Sequence, residues 1–537
     1  MRTERRVEAA MRWTPRGLRF GASVASMVLA LAVGACADES GGDSAGAVPP
    51  LGGGAVAVVT PGATDFAAFK ALVDSGAIPD PKVLDDLGFF AEHSFNLPPP
   101  TCGEELCMHA ALGVRGNLLT GTPCTILQIG LNSSLDPSKL ARPNLHLVAV
   151  VDVSSSMSGK PIADLREGLL RLLGHMQSQA SQDLLSIVAY SDQASVVVEA
   201  AGVAEANAIQ AAIQGLDADG ATNLYAGLAV GSELIQHKTP KGFAGRVVLL
   251  SDGLPTAGLV DGAKTRALAR KWAHAGVGLT TVGVGAQFDH ELLTQLAEIG
   301  QGNAYFLSDS EAVREVFVEE SNTALFPVAA AITIRFDAAD GWVARGAYGA
   351  RDASLDDGGA TLRIPALSLA KRLTAVAPIT GSRRGGGGAI QIELMPLASN
   401  LDAPQLTQIG SLSMEWRPVA GPSLKTQSLT LTAPQLSSAT AAAGLFDNPA
   451  AEKGFVMLNL FVGLRLACAL VRDGDVGAAR GTLEQLHDAV AAWLKAHDDA
   501  DIADDLTWVG KLRAVLKGLP SALQTPIVPP PEPWFVD

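Results

Sequence analysis

Between residues 144 and 324, short apolar runs alternate with longer stretches of helical period, and this alternation restricts the fold more than any other feature. The strand-like runs are 145–151, 184–190, 195–199, 247–250, 277–284 and 303–307, with helical stretches at 160–178, 205–215, 223–237, 261–275, 289–299 and 309–320. Several of the runs are apolar at every position. A strand with one wet face alternates, so these strands belong to a sheet covered by helices on both sides. The first helix shows how the pattern works. Pro161 occupies a tolerated first-turn position, and Ile162, Leu165, Leu169, Leu172 and Met176 form one apolar stripe. The expectation is an α/β domain with a doubly wound, mostly parallel sheet.

The stretch VVDVSSSMSG (150–159) follows the first apolar run directly. Asp152, Ser154 and Ser156 fall at every second position, and in extended backbone alternate side chains point the same way. One carboxylate and two hydroxyls then converge. These are hard oxygen donors without thiol or imidazole, suited to Mg²⁺, Mn²⁺ or Ca²⁺ rather than zinc or copper. Their loop joins a strand's carboxyl end to a helix, where open α/β sheets bind ligands. Two later loops add oxygens: GATNLYAGL (220–228) supplies Thr222 before a helix, and VVLLSDGLPT (247–256) supplies Asp252 after a strand. A lone D-x-S-x-S run commonly just bonds local backbone; three loops in this order point to a cation.

Taken together, the D-x-S-x-S run, the downstream Thr and the Asp of S-D-G resemble the metal-ion-dependent adhesion site of von Willebrand factor type A domains. All five positions match: Asp152, Ser154, Ser156, Thr222 and Asp252. TVGVG (281–285) and FDHELLTQLAEIGQGNAYFL (288–307) are similar to the closing third of such domains, so the resemblance covers 144–324. It implies a Rossmann-like sheet and one divalent cation, held directly or through water, with a position left for the carboxylate of a protein partner. Two carboxylates only balance a dication, which can still attract an acidic ligand.

Around this domain the chain divides by composition. Its 537 residues are too many for one core. Residues 1–35 carry Arg2, Arg5, Arg6, Arg12, Arg16 and Arg19, then an apolar run ending LAVGAC at Cys36. That is the layout of a secretory signal, with Met11 an alternative start, and the placement of Cys36 resembles a bacterial lipobox. The resemblance implies cleavage before Cys36 and its acylation, hence a membrane-anchored, exported lipoprotein of the cell envelope, periplasmic or surface-exposed. Residues 36–60 read as a flexible tether rich in Gly, Ser, Pro and Ala.

Residues 61–143 read as a lead-in module of two helices (65–73 and 81–93) and two strand-like runs (106–114 and 124–132). SGAIPDPKVLDDLGFFAEHSFNLPPP (75–100) is similar to a segment preceding the type A domain in a family of bacterial proteins. Within the module, Cys102 and Cys107 are close enough in sequence for a local disulfide in an oxidising compartment; a C-x4-C zinc site with the lone His109 is the competing reading. Cys468, in the apolar run FVGLRLACAL, reads as a buried free thiol.

Residues 325–440 read as a β-rich, sandwich-like region of short alternating runs, with DASLDDGGA (352–360) as a turn. A helical region covers 448–520, and a Pro-rich tail follows at 521–537. In the helical region, DGDVGAARGTLEQLHDAVAAWLKA (473–496) resembles one tetratricopeptide helix pair. The acidic run HDDADIADD (497–505) reads as a solvated face or a helix start.

Charge and motifs then narrow the function. The formal charge is −15, and −19 once the first 35 residues are removed, which argues against nucleic acid as a partner. No H-E-x-x-H motif, G-x-S-x-G nucleophile elbow or P-loop occurs, since the lone match GDSAG (42–46) lies in the Gly/Ser-rich tether, and nothing marks a general base for Ser154 or Ser156. A binding protein is expected rather than an enzyme. The leading expectation is a protein ligand with an acidic residue, bound through the cation. The alternative is an envelope structural or assembly factor whose metal only braces the loops.

Overall fold

A computed structural model describes residues 56–59, 66–135, 144–179, 182–284, 289–307, 327–356, 358–369, 389–399, 401–418, 421 and 423–520. Cys36, the helical stretch 309–320 and the Pro-rich tail lie outside these residues.

In chain order, the first elements are β1 (Val56–Val59), α1 (Ala67–Asp74), α2 (Asp86–Ala91), β2 (Leu106–Gly116) and β3 (Pro123–Ser133). The central domain follows: β4 (Leu145–Asp152), α3 (Lys160–Gln179), β5 (Leu184–Tyr190), β6 (Ala194–Gly202), α4 (Ala206–Gln214), α5 (Leu224–Lys238), β7 (Ala244–Ser251), α6 (Gly262–His274), β8 (Gly278–Val284), α7 (His290–Ile299) and β9 (Gln301–Leu307). Its six-stranded sheet runs β6-β5-β4-β7-β8-β9. All pairings are parallel except the edge pair β5–β6. Every residue of β4 is buried, and the reason is visible in its alternation. Leu145, Leu147, Ala149 and Val151 enter a core with Leu165, Leu169, Leu172 and Met176 of α3. Val148 and Val150 enter a second core with Leu224 and Leu228 of α5. The doubly wound α/β expectation therefore holds, and the helical stripe read from 162 to 176 is the face α3 buries.

Helix α5 lies unusually close to the sheet. A Cβ at Gly231 would sit 2.2 Å from Val150 Cγ2, and one at Gly227 2.6 Å from Tyr190 Cδ1. Only glycine allows that approach.

The remaining strands are β10 (Pro327–Ala338), β11 (Trp342–Tyr348), β12 (Asp352–Asp356), β13 (Gly359–Leu369), β14 (Ile390–Pro396), β15 (Gln408–Pro418), β16 (Lys425–Thr432) and β17 (Leu445–Phe446). They do not form a sheet of their own. β3 pairs with β2 and β14, while β1 bridges β3 to β13. Side chains from β2, β3, β10, β13, β14 and β15 share one core. The lead-in segment and the β-rich region, separated in sequence by the central domain, are thus one sandwich-like body into which that domain is inserted. The DASLDDGGA stretch is not a simple turn: 352–356 pairs with 359–363 as a β-hairpin.

Three long helices, Pro449–Arg472, Val476–Leu494 and Ala500–Lys517, close the described chain. The first is long and apolar enough to cross a membrane, yet 78% of its most apolar window is buried inside the protein. It packs against Phe66, Phe69, Phe89 and Phe90 from the segment around α1 and α2. The stretch 473–496 is a turn and one helix, not a helix pair. The acidic run does start a helix, with Asp499 accepting from Ile502 N at 3.1 Å. It is not a solvated face, however, because Asp501 and Asp505 are fully buried. Lys453 Nζ lies 2.8 Å from Asp499 and 2.9 Å from Asp501. Ser94 N donates to Asp501 at 3.1 Å, and His93 Nε2 hydrogen-bonds Asp505 at 2.8 Å. Burying carboxylates demands such partners, and here they tie the first helices to the last.

Candidate functional site

The site begins at the carboxyl ends of β4 and β7. From β4 the chain proceeds to β5 on one side and later returns to β7 on the other, so the strand order reverses there and opens a crevice. Asp152 is the last residue of β4, and Asp252 follows β7 directly. Ser154 N donates to Asp152 Oδ1 at 2.9 Å. The hydroxyls of Ser154 and Ser156 lie 3.0 Å apart, and Ser156 Oγ donates to Asp252 Oδ1 at 2.9 Å. Residue to residue, hydrogen bonds thus link one carboxylate to the other through Ser154 and Ser156.

Thr222 joins the group through its loop. Ser155 N donates to Gly220 O at 2.9 Å, and Thr256 N donates to Thr222 O at 3.0 Å, so the second loop is bonded to both of the others. Thr222 N in turn donates to Thr256 Oγ1 at 2.9 Å. Thr222 is buried, as are Asp152 and Ser154.

Burial dominates the electrostatics. It raises the Asp152 carboxyl above the usual range, against hydrogen bonds that act to lower it. Asp252, half-buried, is raised by burial and further by the charge of Asp152. The hydrogen bonds to Asp152 Oδ2 are shared ones. Tyr190 OH lies 3.2 Å from it and 2.8 Å from Leu250 O, while Ser251 Oγ lies 3.1 Å from it and 3.3 Å from Gly253 O. Each hydroxyl has one proton for two acceptors. Two crowded carboxylates, incompletely supplied with donors and lined by neutral hydroxyls, suit a hard dication.

Tyr190 and Ser251 were not among the residues picked out by motif. The parallel register pairs Asp152 with Tyr190, which is what brings the phenol under the carboxylate; Ser251 is the residue before the recognised Asp252. Away from this site, Cys102 and Cys107 are joined in a disulfide, and Cys124 and Cys468 are buried free thiols.

Comparison with known proteins identifies the central domain. The von Willebrand factor type A domain model matches residues 146–319. The uncharacterized protein YfbK of Escherichia coli is 28% identical over 202 residues, covering 37% of this chain and 35% of that protein. Human inter-alpha-trypsin inhibitor heavy chain H1 is 28% identical over 186 residues, covering 34% and 20%. Among solved structures, a von Willebrand factor type A protein from Catenulispora acidiphila aligns over 75% of this chain and 89% of its own, with 15% identity and a TM-score of 0.46. The chain thus spans about a third and a fifth of the lengths of these two curated relatives. Residues 146–319 are a von Willebrand factor type A domain, carried in a chain with additional β-rich and C-terminal helical regions.

Proposed function

We propose that Asp152, Ser154, Ser156, Thr222 and Asp252 hold one divalent cation, Mg²⁺ or in its place Mn²⁺ or Ca²⁺, through which the protein binds a partner. Type A domains are interaction modules, and a protein partner is consistent with that class. The observation that carries the finer reading is the meeting of three loops, with only oxygen donors and one buried and one half-buried carboxylate, at the carboxyl end of the sheet. The cation supplies a positive centre that an acidic side chain of the partner can ligate. The five residues set the charge and position of that centre. No residue of the group is asked to do covalent chemistry.

Calorimetry with Mg²⁺ tests it. One site is expected in the wild type and none in Asp152→Ala/Asp252→Ala; unchanged affinity in the double variant rejects the assignment. Thr222→Ala should keep the ion, since it removes a neutral oxygen, yet weaken partner binding. EDTA separates adhesion from mere bracing of the loops. Under adhesion, partner binding is lost with the fold intact; under bracing, it is lost only with the fold.

The reading also includes anchorage at Cys36. Wild type should incorporate a clickable palmitate analogue and Cys36→Ser should not. Equal labelling of both proteins would remove the lipid anchor from the proposal.

A further inference from the structure

We infer that the loop from Gly253 to Val260 is an apolar rim for the cation site, and that the partner's acidic residue is flanked by apolar side chains. The inference rests on the cation reading above and adds the chemistry of the ligand around its carboxylate.

Leu254, Leu259 and Val260 are 58%, 40% and 56% exposed. They are three of the eight large apolar side chains found exposed among the described residues, and they fall within seven consecutive positions. None belongs to either of the cores that flank the sheet. Single exposed apolar residues need no explanation, but a cluster beside a site does.

The loop that carries them is fixed. Thr256 N and Ala257 N both donate to Thr222 O, at 3.0 and 3.2 Å. Gly258 has φ +66°, and a Cβ there would meet Asn223 Oδ1 at 2.3 Å, so the loop lies directly against the second site loop. At its far end Asp261 accepts from Ala263 N at 2.9 Å and starts α6. The apolar side chains are therefore displayed from backbone bonded to Thr222, and they begin two residues after Asp252.

Charge decides what such a rim is for. The chain carries a formal −15, so an acidic ligand is repelled at long range rather than steered in. Its affinity must come from contact. Apolar groups packed around a metal–carboxylate contact exclude water from it and strengthen the attraction. An acidic residue with polar neighbours would leave Leu254, Leu259 and Val260 wet; one with apolar neighbours covers them.

The test uses the full chain and two sets of synthetic peptides, each with one central Asp or Glu. Leu, Ile, Val or Phe flank it in one set, and Ser, Gly or Asn in the other. In Mg²⁺ the apolar set should bind at least about tenfold tighter, the factor expected from covering a single aliphatic side chain. In Leu254→Ser/Val260→Ser that preference should vanish while Mg²⁺ affinity by calorimetry stays at the wild-type value, which also reports an intact fold. Equal binding of the two sets, no binding of either set by Mg²⁺-loaded protein, or a preference that survives the double substitution overturns the rim. A preference that persists in EDTA but is lost in the double variant overturns the cation reading and keeps the rim.

Discussion

Replacing Lys453 with methionine should destabilise the protein by about 3–5 kcal/mol, the cost of breaking a buried ion pair from one side. The ammonium lies 2.9 Å from Asp501, which is fully buried, and 2.8 Å from Asp499. Methionine keeps the volume and removes the charge, so the fall measures a carboxylate deprived of its cation. Lys511, 2.7 Å from Asp74, is the control: both side chains are roughly half exposed, and solvent screens the pair. Lys511→Met should cost less than about 1 kcal/mol. Denaturant midpoints for the two variants decide the matter. A Lys453→Met shift no larger than that of Lys511→Met rejects the account. Adding Asp501→Asn should restore part of the loss, because the amide removes the orphaned charge and keeps an acceptor for Ser94 N.

Acid sensitivity should trace largely to His146. Its ring is fully buried in β4, between the hydroxyls of Thr239 (2.8 Å) and Ser186 (3.0 Å), and burial pushes its pKa from 6.5 down to about 4. The unfolded chain then binds the proton more readily than the folded one. Stability is intact above the unfolded value of 6.5 and falls as the pH drops toward the folded value of about 4. The loss from this one ring is about 3 kcal/mol. Asp152 and Asp252 act in the opposite sense, since their raised carboxyls favour the folded state where they are protonated and lose that contribution as pH rises. The difference between wild type and His146→Gln isolates the histidine. The variant's stability relative to wild type should rise by that amount between pH 7 and pH 4, followed by chemical denaturation. Parallel pH profiles would show that His146 carries no such penalty.

What the sequence made legible was local. The D-x-S-x-S spacing needs only one strand and one turn, and the α3 stripe from Ile162 to Met176 needs only helical period. Both depend on neighbours in the chain, as does the Cys102–Cys107 pair. Tyr190 escaped notice because it meets Asp152 only through the register of β4 against β5. Asp501 and Asp505 read as solvated for a related reason. A charge run is ordinarily wet, and their burial follows from Lys453 and His93, which arrive from other helices and loops. The division into a lead-in module and a later β-rich region failed on the longest-range contacts of all, the pairing of β3 with β14 across the inserted domain.

That insertion also orders the assembly of the chain in time. Strand β2 and β3 can form their hairpin early, for Asn117 N reaches Thr122 O at 2.7 Å within a short turn. Among the described residues, the strands of the type A domain, between 145 and 307, pair only with one another. Ile126, however, has to wait for Glu393, and Val58 for Leu369. Loop closure over such separations is slow, and chains emerge amino terminus first. The hairpin therefore spends the whole synthesis of the type A domain with an open strand edge, the kind of surface that recruits other chains. Aggregation during folding should begin at β3, in the interval before its partner strand β14 has been made.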